Sequence, residues 1–163
     1  MKWVNYKMLL LTGLAAAAVG CSSIDCPVEN TVAVHYLVCN SDGTELALTD
    51  SLSVESKNFH GNPIVLNRLS GSATFSLPIS YSHPEDVMTF TFFNDSVSRS
   101  DTVWLKKNDI PHFESVDCSA AFFHELTDVR HTTHAIDSLV IKNRTVDYDT
   151  RTVHLHLYPK SSD

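Results

Sequence analysis

Met88-Thr89-Phe90-Thr91-Phe92 is a run in which every second residue is large and apolar and those between are threonines. A period of two is that of a β-strand with one face turned to a core and the other to water. The pattern recurs on both sides. Upstream, Val32, Val34, Tyr36 and Val38 share one parity while Ala33, Leu37 and Cys39 fill most of the other, which predicts a central strand. Leu46, Leu48, Leu52 and Val54 alternate with polar neighbours, with a bend expected near Asp50. Pro63 to Leu69 and Ala73 to Leu77 flank a Ser70-Gly71-Ser72 turn. Downstream, Asp95-Ser96 turns the chain into a strand carrying Thr102, Val103, Trp104 and Leu105. Phe113 to Val116 and Phe122 to Val129 read as extended, although Phe122, Leu126 and Val129 also fit a short helix near 119–128. Leu139 and Ile141, then Asn143-Arg144, then Val146 and Tyr148 predict a hairpin. Val153, Leu155 and Leu157 alternate with His154, His156 and Tyr158 in a final strand, whose histidines are expected on the solvated face.

About eight short strands at regular spacing predict an all-β fold, a single antiparallel β-sandwich of immunoglobulin-like or related type. Five glycines and the absence of a period of twenty to fifty residues argue against a repeat solenoid. Asn40-Ser41-Asp42-Gly43 reads as a turn with glycine at a positive φ. Aligning Gly43 with the glycine of a calcium loop puts Val38 and Thr49 where carboxylates are required, so the calcium reading fails.

The first twenty residues have the parts of an export signal. Lys2 and Lys7 form a positive start, and Met8 to Val19 is an apolar run too short to remain as a membrane span, which needs ~20 such residues. The run ends in Ala18-Val19-Gly20-Cys21, which resembles the lipobox of bacterial lipoproteins, with diacylglycerol and palmitate-type acyl chains expected on Cys21. Several acyl chains hold a protein at a membrane far better than one. The expected organisation is a removed signal peptide at 1–20, a lipidated tether at 21–30 and the sandwich at 31–160.

Removing Lys2 and Lys7 takes the formal charge from −7 to −9. An acidic chain of this kind argues against nucleic acid and anionic headgroups as partners. Three further cysteines, Cys26, Cys39 and Cys118, allow three pairings in an oxidising compartment. Cys26 and Cys118 sit in mixed polar stretches and are the expected disulfide, whereas Cys39 closes an apolar strand as a small buried hydrophobe.

Chemistry-bearing motifs are few. His112, His124, His131, His134, His154 and His156 fall within 45 residues. His154 and His156 share one side of a strand about 7 Å apart, and His131 or His134 completes a candidate zinc or copper site. A polar face that happens to carry histidines is the favoured explanation. His124-Glu125-Leu126-Thr127-Asp128 matches the zincin motif only in part, with Asp128 in place of the second histidine. His35 lies four strand residues from Cys39, beyond contact, and no Gly-x-Ser-x-Gly elbow occurs. Glu85-Asp86 and Asp147/Asp149 sit at turns. No catalytic residue and no cofactor are expected; a metal-dependent hydrolase is the remote alternative. Phe90, Phe92, Phe93 and Trp104 suit either a ligand groove between sheets or, more commonly, a core.

Whole segments resemble a family of short lipoproteins from the Bacteroidetes that has no assigned function. They are Cys21-Ser22-Ser23-Ile24-Asp25-Cys26-Pro27, Asn40-Ser41-Asp42-Gly43-Thr44, Phe75-Ser76-Leu77-Pro78 with Tyr81, and Pro84-Glu85-Asp86-Val87. The likeness continues through Pro111 to Cys118, Phe122-Phe123-His124, Ala135-Ile136-Asp137-Ser138 and Val146-Asp147-Tyr148-Asp149. It implies lipidation and supports the Cys26–Cys118 pairing. Surface-displayed lipoproteins of that lineage carry an acidic cluster after the cysteine. Only Asp25 is acidic here, which implies a periplasm-facing position. The lineage also implies O-glycans where Asp precedes Ser or Thr and an apolar residue, at Ser51, Ser96, Thr102 and Ser138. The resulting expectation is a non-enzymatic, membrane-tethered envelope module whose partner is another envelope protein or a glycan, with zinc or copper binding through the histidines as the alternative.

Overall fold

Along β5 (Glu85–Phe93) the alternation of the sequence becomes strict alternation of buried and half-buried side chains, with Met88, Phe90 and Phe92 inward. The computed structural model describes residues 32–58, 63–95, 97–115, 117–118 and 120–160. The other strands are β1 (Ala33–Val38), β2 (Ser51–Ser56), β3 (Ile64–Leu69), β4 (Thr74–Pro78) and β6 (Ser98–His112), followed by β7 (Ala121–His131), β8 (Ile136–Ile141), β9 (Thr145–Val146) and β10 (Leu155–Pro159). They form a four-stranded sheet in the order β4-β1-β10-β8 and a six-stranded sheet in the order β3-β2-β5-β6-β7-β9. Pairing is antiparallel throughout except between β1 and β10, which run parallel.

The two sheets close on one core as a β-sandwich. Tyr36 of β1 stacks on Phe75 of β4 at 4.7 Å and tilts against Phe90 of the other sheet at 6.0 Å. Leu52, Val54, Val103, Leu105, Leu126, Leu155 and Leu157 fill the space between. Burying a side chain of this size contributes roughly 1.5–3 kcal/mol, so this layer is the main favourable term. Gly43 and Gly71 take φ of 84° and 68° at the two turns where the sequence predicts them.

The candidate helix near 119–128 is a strand. The spacing of Phe122, Leu126 and Val129 has a specific cause. Lys106 pairs with Asp128 and Lys107 with Leu126, so Thr127 is an extra, bulged residue in β7. Phe122 and Leu126 share one parity, and the bulge returns Val129 to the same face three residues later, imitating a helix. The predicted 139–148 hairpin also fails. β8 pairs with β10 in one sheet, while β9 pairs with β7 in the other, so Asn143-Arg144 carries the chain between sheets. Residues 46–50 and 113–115 lie outside the strands, although both were predicted to be extended.

The strand directions give the sandwich two ends. At the proximal end lie Val32, the β4–β5 connection, the close of β6 and the start of β7; Ala33 is registered with Pro78 there. At the distal end lie the close of β1, the β5–β6 turn and the last residues of β10.

Candidate functional site

Three groups of chemistry-bearing side chains are built into this frame. The first centres on Asp101, which shares the inward parity of Val103 and Leu105 on β6 and is buried with them. Its Oδ1 accepts hydrogen bonds from the His134 backbone N–H at 2.8 Å, the His134 ring at 3.0 Å and the Thr132 hydroxyl. Its Oδ2 accepts the backbone N–H groups of Ala135 at 2.6 Å and Ile136 at 2.7 Å. Burial alone would raise this carboxyl, but the donors prevail and hold it well below the usual carboxylate range. Four of the five donors belong to the connection that carries the chain from β7 to β8, and the fifth, the Ile136 N–H, opens β8. Asp101 is therefore a clasp between sheets.

The second group lies nearer the proximal end. Lys107, on the inward parity of β6, buries its ammonium completely and donates to the His83 carbonyl at 2.7 Å and to Asp109 Oδ1 at 2.6 Å. The same Asp109 oxygen accepts the His124 Nδ1–H at 2.6 Å. Burial pulls the His124 imidazole below its ordinary value, with the Asp109 bond acting against it. Near this group Asp86 Oδ2 accepts the Ser80 N–H at 3.0 Å. Asp86 Oδ1, Ser80 Oγ and the Tyr36 hydroxyl are buried without a hydrogen-bond partner. Burial, then the Asp86 charge, drives the Tyr36 phenol far above its ordinary value.

The third group joins β1 to β10. His154 is buried rather than solvated, a correction to the sequence expectation: it lies in the β9–β10 connection just before β10, against His35 of β1. Its Nδ1 accepts the His35 backbone N–H at 3.0 Å, and the two imidazoles stack at 5.4 Å. A backbone N–H can only donate, so His154 Nδ1 is unprotonated and the proton sits on Nε2, which is buried without a partner. Burial and then His35 lower the His154 pKa. Two residues on, His156 Nδ1 lies 3.5 Å from Cys39 Sγ. Burial pushes the Cys39 thiol up, with Lys142 opposing, and burial followed by Lys142 pushes His156 down. Cys39 is thus a buried free cysteine, as expected, but its imidazole neighbour is His156, 117 residues away in sequence, rather than His35.

The predicted metal ligands are not drawn together. His131 Nδ1–H donates to the Thr132 carbonyl at 2.7 Å, and His134 is bound to Asp101. The free nitrogen of His154 carries its proton. Among the described residues no three of His, Cys, Asp and Glu gather into a metal-holding group. The proposed glycan acceptors Ser51, Thr102 and Ser138 are half-buried strand residues. Cys21, Cys26 and Ser96 lie outside the described residues. The aromatic groove is not formed: Phe90 and Phe92 are core, while Phe93 and Trp104 point to the opposite face, each beneath an arginine, Arg68 at 3.8 Å and Arg130 at 5.3 Å.

Two surface features went unseen in the sequence. At the proximal end Tyr81 stacks on Phe122 at 5.0 Å with the rings 8° from parallel. Tyr81 and nearby Phe113 are 66% and 67% exposed. At the distal end a cleft of about 190 Å³ opens between Cys39, Asn40, Thr49, Asp50, Arg99 and Lys160. Asp50 and Arg99 face each other across 3.7 Å there.

The pattern of the family of unknown function DUF6452 matches residues 51–159, more than half of the 163-residue chain. The chain belongs to this family. No curated protein and no solved structure matches it. The DUF6452 segment runs from the first residue of β2 to the last of β10 and contains the Asp101 clasp, the Lys107 group and His154. It leaves out β1, which nevertheless occupies the slot between β4 and β10 and supplies His35 and Tyr36.

Proposed function

We propose that this DUF6452 chain is a non-enzymatic binding module of a bacterial cell envelope, tethered by lipid on Cys21, periplasm-facing, and offering its distal end to another envelope protein or a glycan. The observation that carries it is the placement of the cleft at the end opposite to where the tether joins the sandwich. A tethered domain presents to its surroundings the end farthest from its anchor. A cleft of about 190 Å³ is smaller than a cofactor pocket and suits a protein side chain or a single sugar. The Asp50 and Arg99 charges give it acceptor and donor character together. The interior ionisable groups are spent on holding corners and strands, which supports a binding role over catalysis. Cys39 is the free cysteine among the described residues, which leaves Cys118, in the proximal β6–β7 turn, to pair with Cys26 and brace the tether.

The test is intact mass of protein from its native membrane, with a photo-crosslinking residue placed at Thr49. Lipid mass on Cys21 and a discrete adduct from Thr49 are expected. A chain without lipid, or a cleft that yields no adduct in intact cells, overturns the proposal.

A second proposal, zinc or copper binding, is favoured by one observation. The 3.5 Å between Cys39 Sγ and His156 Nδ1 is a separation that a tetrahedral metal with bonds of about 2.0–2.3 Å spans. Equimolar metal that disappears in His156→Ala supports it, and metal-free protein under saturating zinc rules it out.

A further inference from the structure

We infer that the proximal aromatic end is a membrane-contacting face, and that its partner is the zwitterionic headgroup region of the bilayer that holds the tether. The inference rests on the lipid-anchoring proposal above and names what this second surface touches.

The register fixes the geometry. Ala33 opposite Pro78 puts the start of β1 beside the end of β4, and three residues later Tyr81 stands on Phe122. Phe122 pairs with Pro111 on β6, and Phe113 follows two residues beyond. Ile110, 47% exposed, adds apolar surface to the same stretch. The chain therefore joins the sandwich at the end that bears its most exposed aromatic rings.

Chain length then limits the distance. Ten residues lie between Cys21 and Val32, and the eleven steps from one to the other, at ~3.3–3.6 Å each, reach no more than about 40 Å. A lipidated Cys21 thus keeps the aromatic end within a few headgroup diameters of the bilayer at a high effective concentration, so a modest apolar contact is enough to seat it. Tyrosine and other aromatic rings favour this zone, where one part of the ring is wet and the rest is not. Charge selects the lipid. Residues 79–84, 110–115 and 120–123 around these rings include no lysine or arginine, so nothing there attracts anionic headgroups and zwitterionic ones are tolerated.

The experiment uses the lipidated protein in phosphatidylethanolamine–phosphatidylcholine vesicles with and without brominated acyl chains. Phe113→Trp in a Trp104→Phe background places one indole at the proximal end, and Val97→Trp in the same background places one in the distal β5–β6 turn. Brominated lipid should quench the Phe113→Trp emission by roughly twofold or more and leave Val97→Trp unchanged, as expected for an interfacial ring. Equal emission from both, with lipid mass intact on Cys21, overturns the membrane face but leaves the anchoring proposal standing. Absence of lipid on Cys21 overturns both. If the Trp104→Phe background does not fold, a nitroxide at Ser82→Cys in the otherwise native chain gives the same decision. Oxygen accessibility above that of a water-soluble nickel complex supports membrane contact, and the reverse overturns it.

Discussion

Two of the connections that carry the chain from one sheet to the other, β7–β8 and β8–β9, are held by opposite charges. At residues 132–136 the corner wraps a buried anion, Asp101, which collects three backbone N–H groups, a hydroxyl and an imidazole. At residues 142–144 a cation does the work from outside. The Arg144 guanidinium donates to the Leu126 and Thr127 carbonyls at 2.8 and 2.9 Å, where the β7 bulge turns them out of the ladder. Lys142 and Asn143 close this corner with backbone bonds to the His154 carbonyl at 2.8 and 3.2 Å. An anion inside a ring of donors is shielded from water and cannot be replaced by it. An exposed guanidinium competes with water at every moment. The first corner should therefore be much the costlier to break.

Asp101→Ala tests that difference most directly. It leaves several buried donors without an acceptor, and a loss of about 3–5 kcal/mol is expected from chemical denaturation. Asp101→Asn, which keeps one oxygen, should lose less. If Asp101→Ala cost no more than a surface substitution, the contrast between the corners would be wrong.

Acid should separate the Asp101 corner from the β1–β10 seam that His154 holds. Asp101 has a folded pKa below its unfolded one, so its contribution is fully present above about pH 4 and disappears as pH falls through the folded value. His154 is depressed from about 6.5, so the unfolded chain takes its proton first. Its contribution is present above about pH 6.5 and declines below it. Protonation also removes the Nδ1 acceptor that β1 uses through His35. Stability should thus fall in two stages, and His154→Asn, which offers an amide oxygen to the His35 N–H, should flatten the first. A pH series of denaturant midpoints reads both. His124 and His156 are also depressed by burial and share the first window, so a residual slope in His154→Asn is assigned by repeating the series in His124→Gln and His156→Ala chains.

How far these features were legible follows from what alternation can and cannot encode. The β1, β5 and β10 patterns specify strand and inward face because parity alone decides them. Parity does not say which sheet a strand joins. Asn143-Arg144 between two alternating runs therefore looks the same whether the chain makes a hairpin or crosses over. The β7 bulge converts a period of two into spacings of four and three, which a sequence pattern cannot distinguish from a helical turn. Asp101 was visible only as a possible glycan sequon, although a sharper signal was present. An aspartate is rare inside a strand, and this one sits in phase with Val103 and Leu105. Lys107 shares that phase. The burial of His154 has no local signal, because its stacking partner His35 is 119 residues away in sequence.

Arg144→Ala is the counterpart at the second corner. Two charge-assisted bonds are lost, but the side chain is exposed, so water takes its place once it is removed. The expected loss is about 1 kcal/mol, well short of the Asp101 effect. A larger loss would mean that the bulge itself depends on the guanidinium. Hydrogen exchange at Leu126, whose N–H bonds the Arg144 carbonyl at 2.7 Å, would then rise with that loss.

Cys39 gives the reference for what a buried group costs when it holds neither corner. It sits at the close of β1 with His156 as neighbour, and its removal opens a small cavity without stranding a corner. Cys39→Ala should cost about 1 kcal/mol or less. Because burial raises its thiol, native Cys39 should react with an alkylating reagent at neutral pH far more slowly than an exposed cysteine. His156→Ala separates packing from proton chemistry. If the imidazole only fills space, the alkylation rate rises with the fraction of open protein. If it acts as the acceptor of the thiol proton, the rate's dependence on pH changes shape while stability scarcely moves. The second outcome would place a reactive thiol beside the distal cleft, and it would make that end, rather than either corner, the chemically active part of the fold.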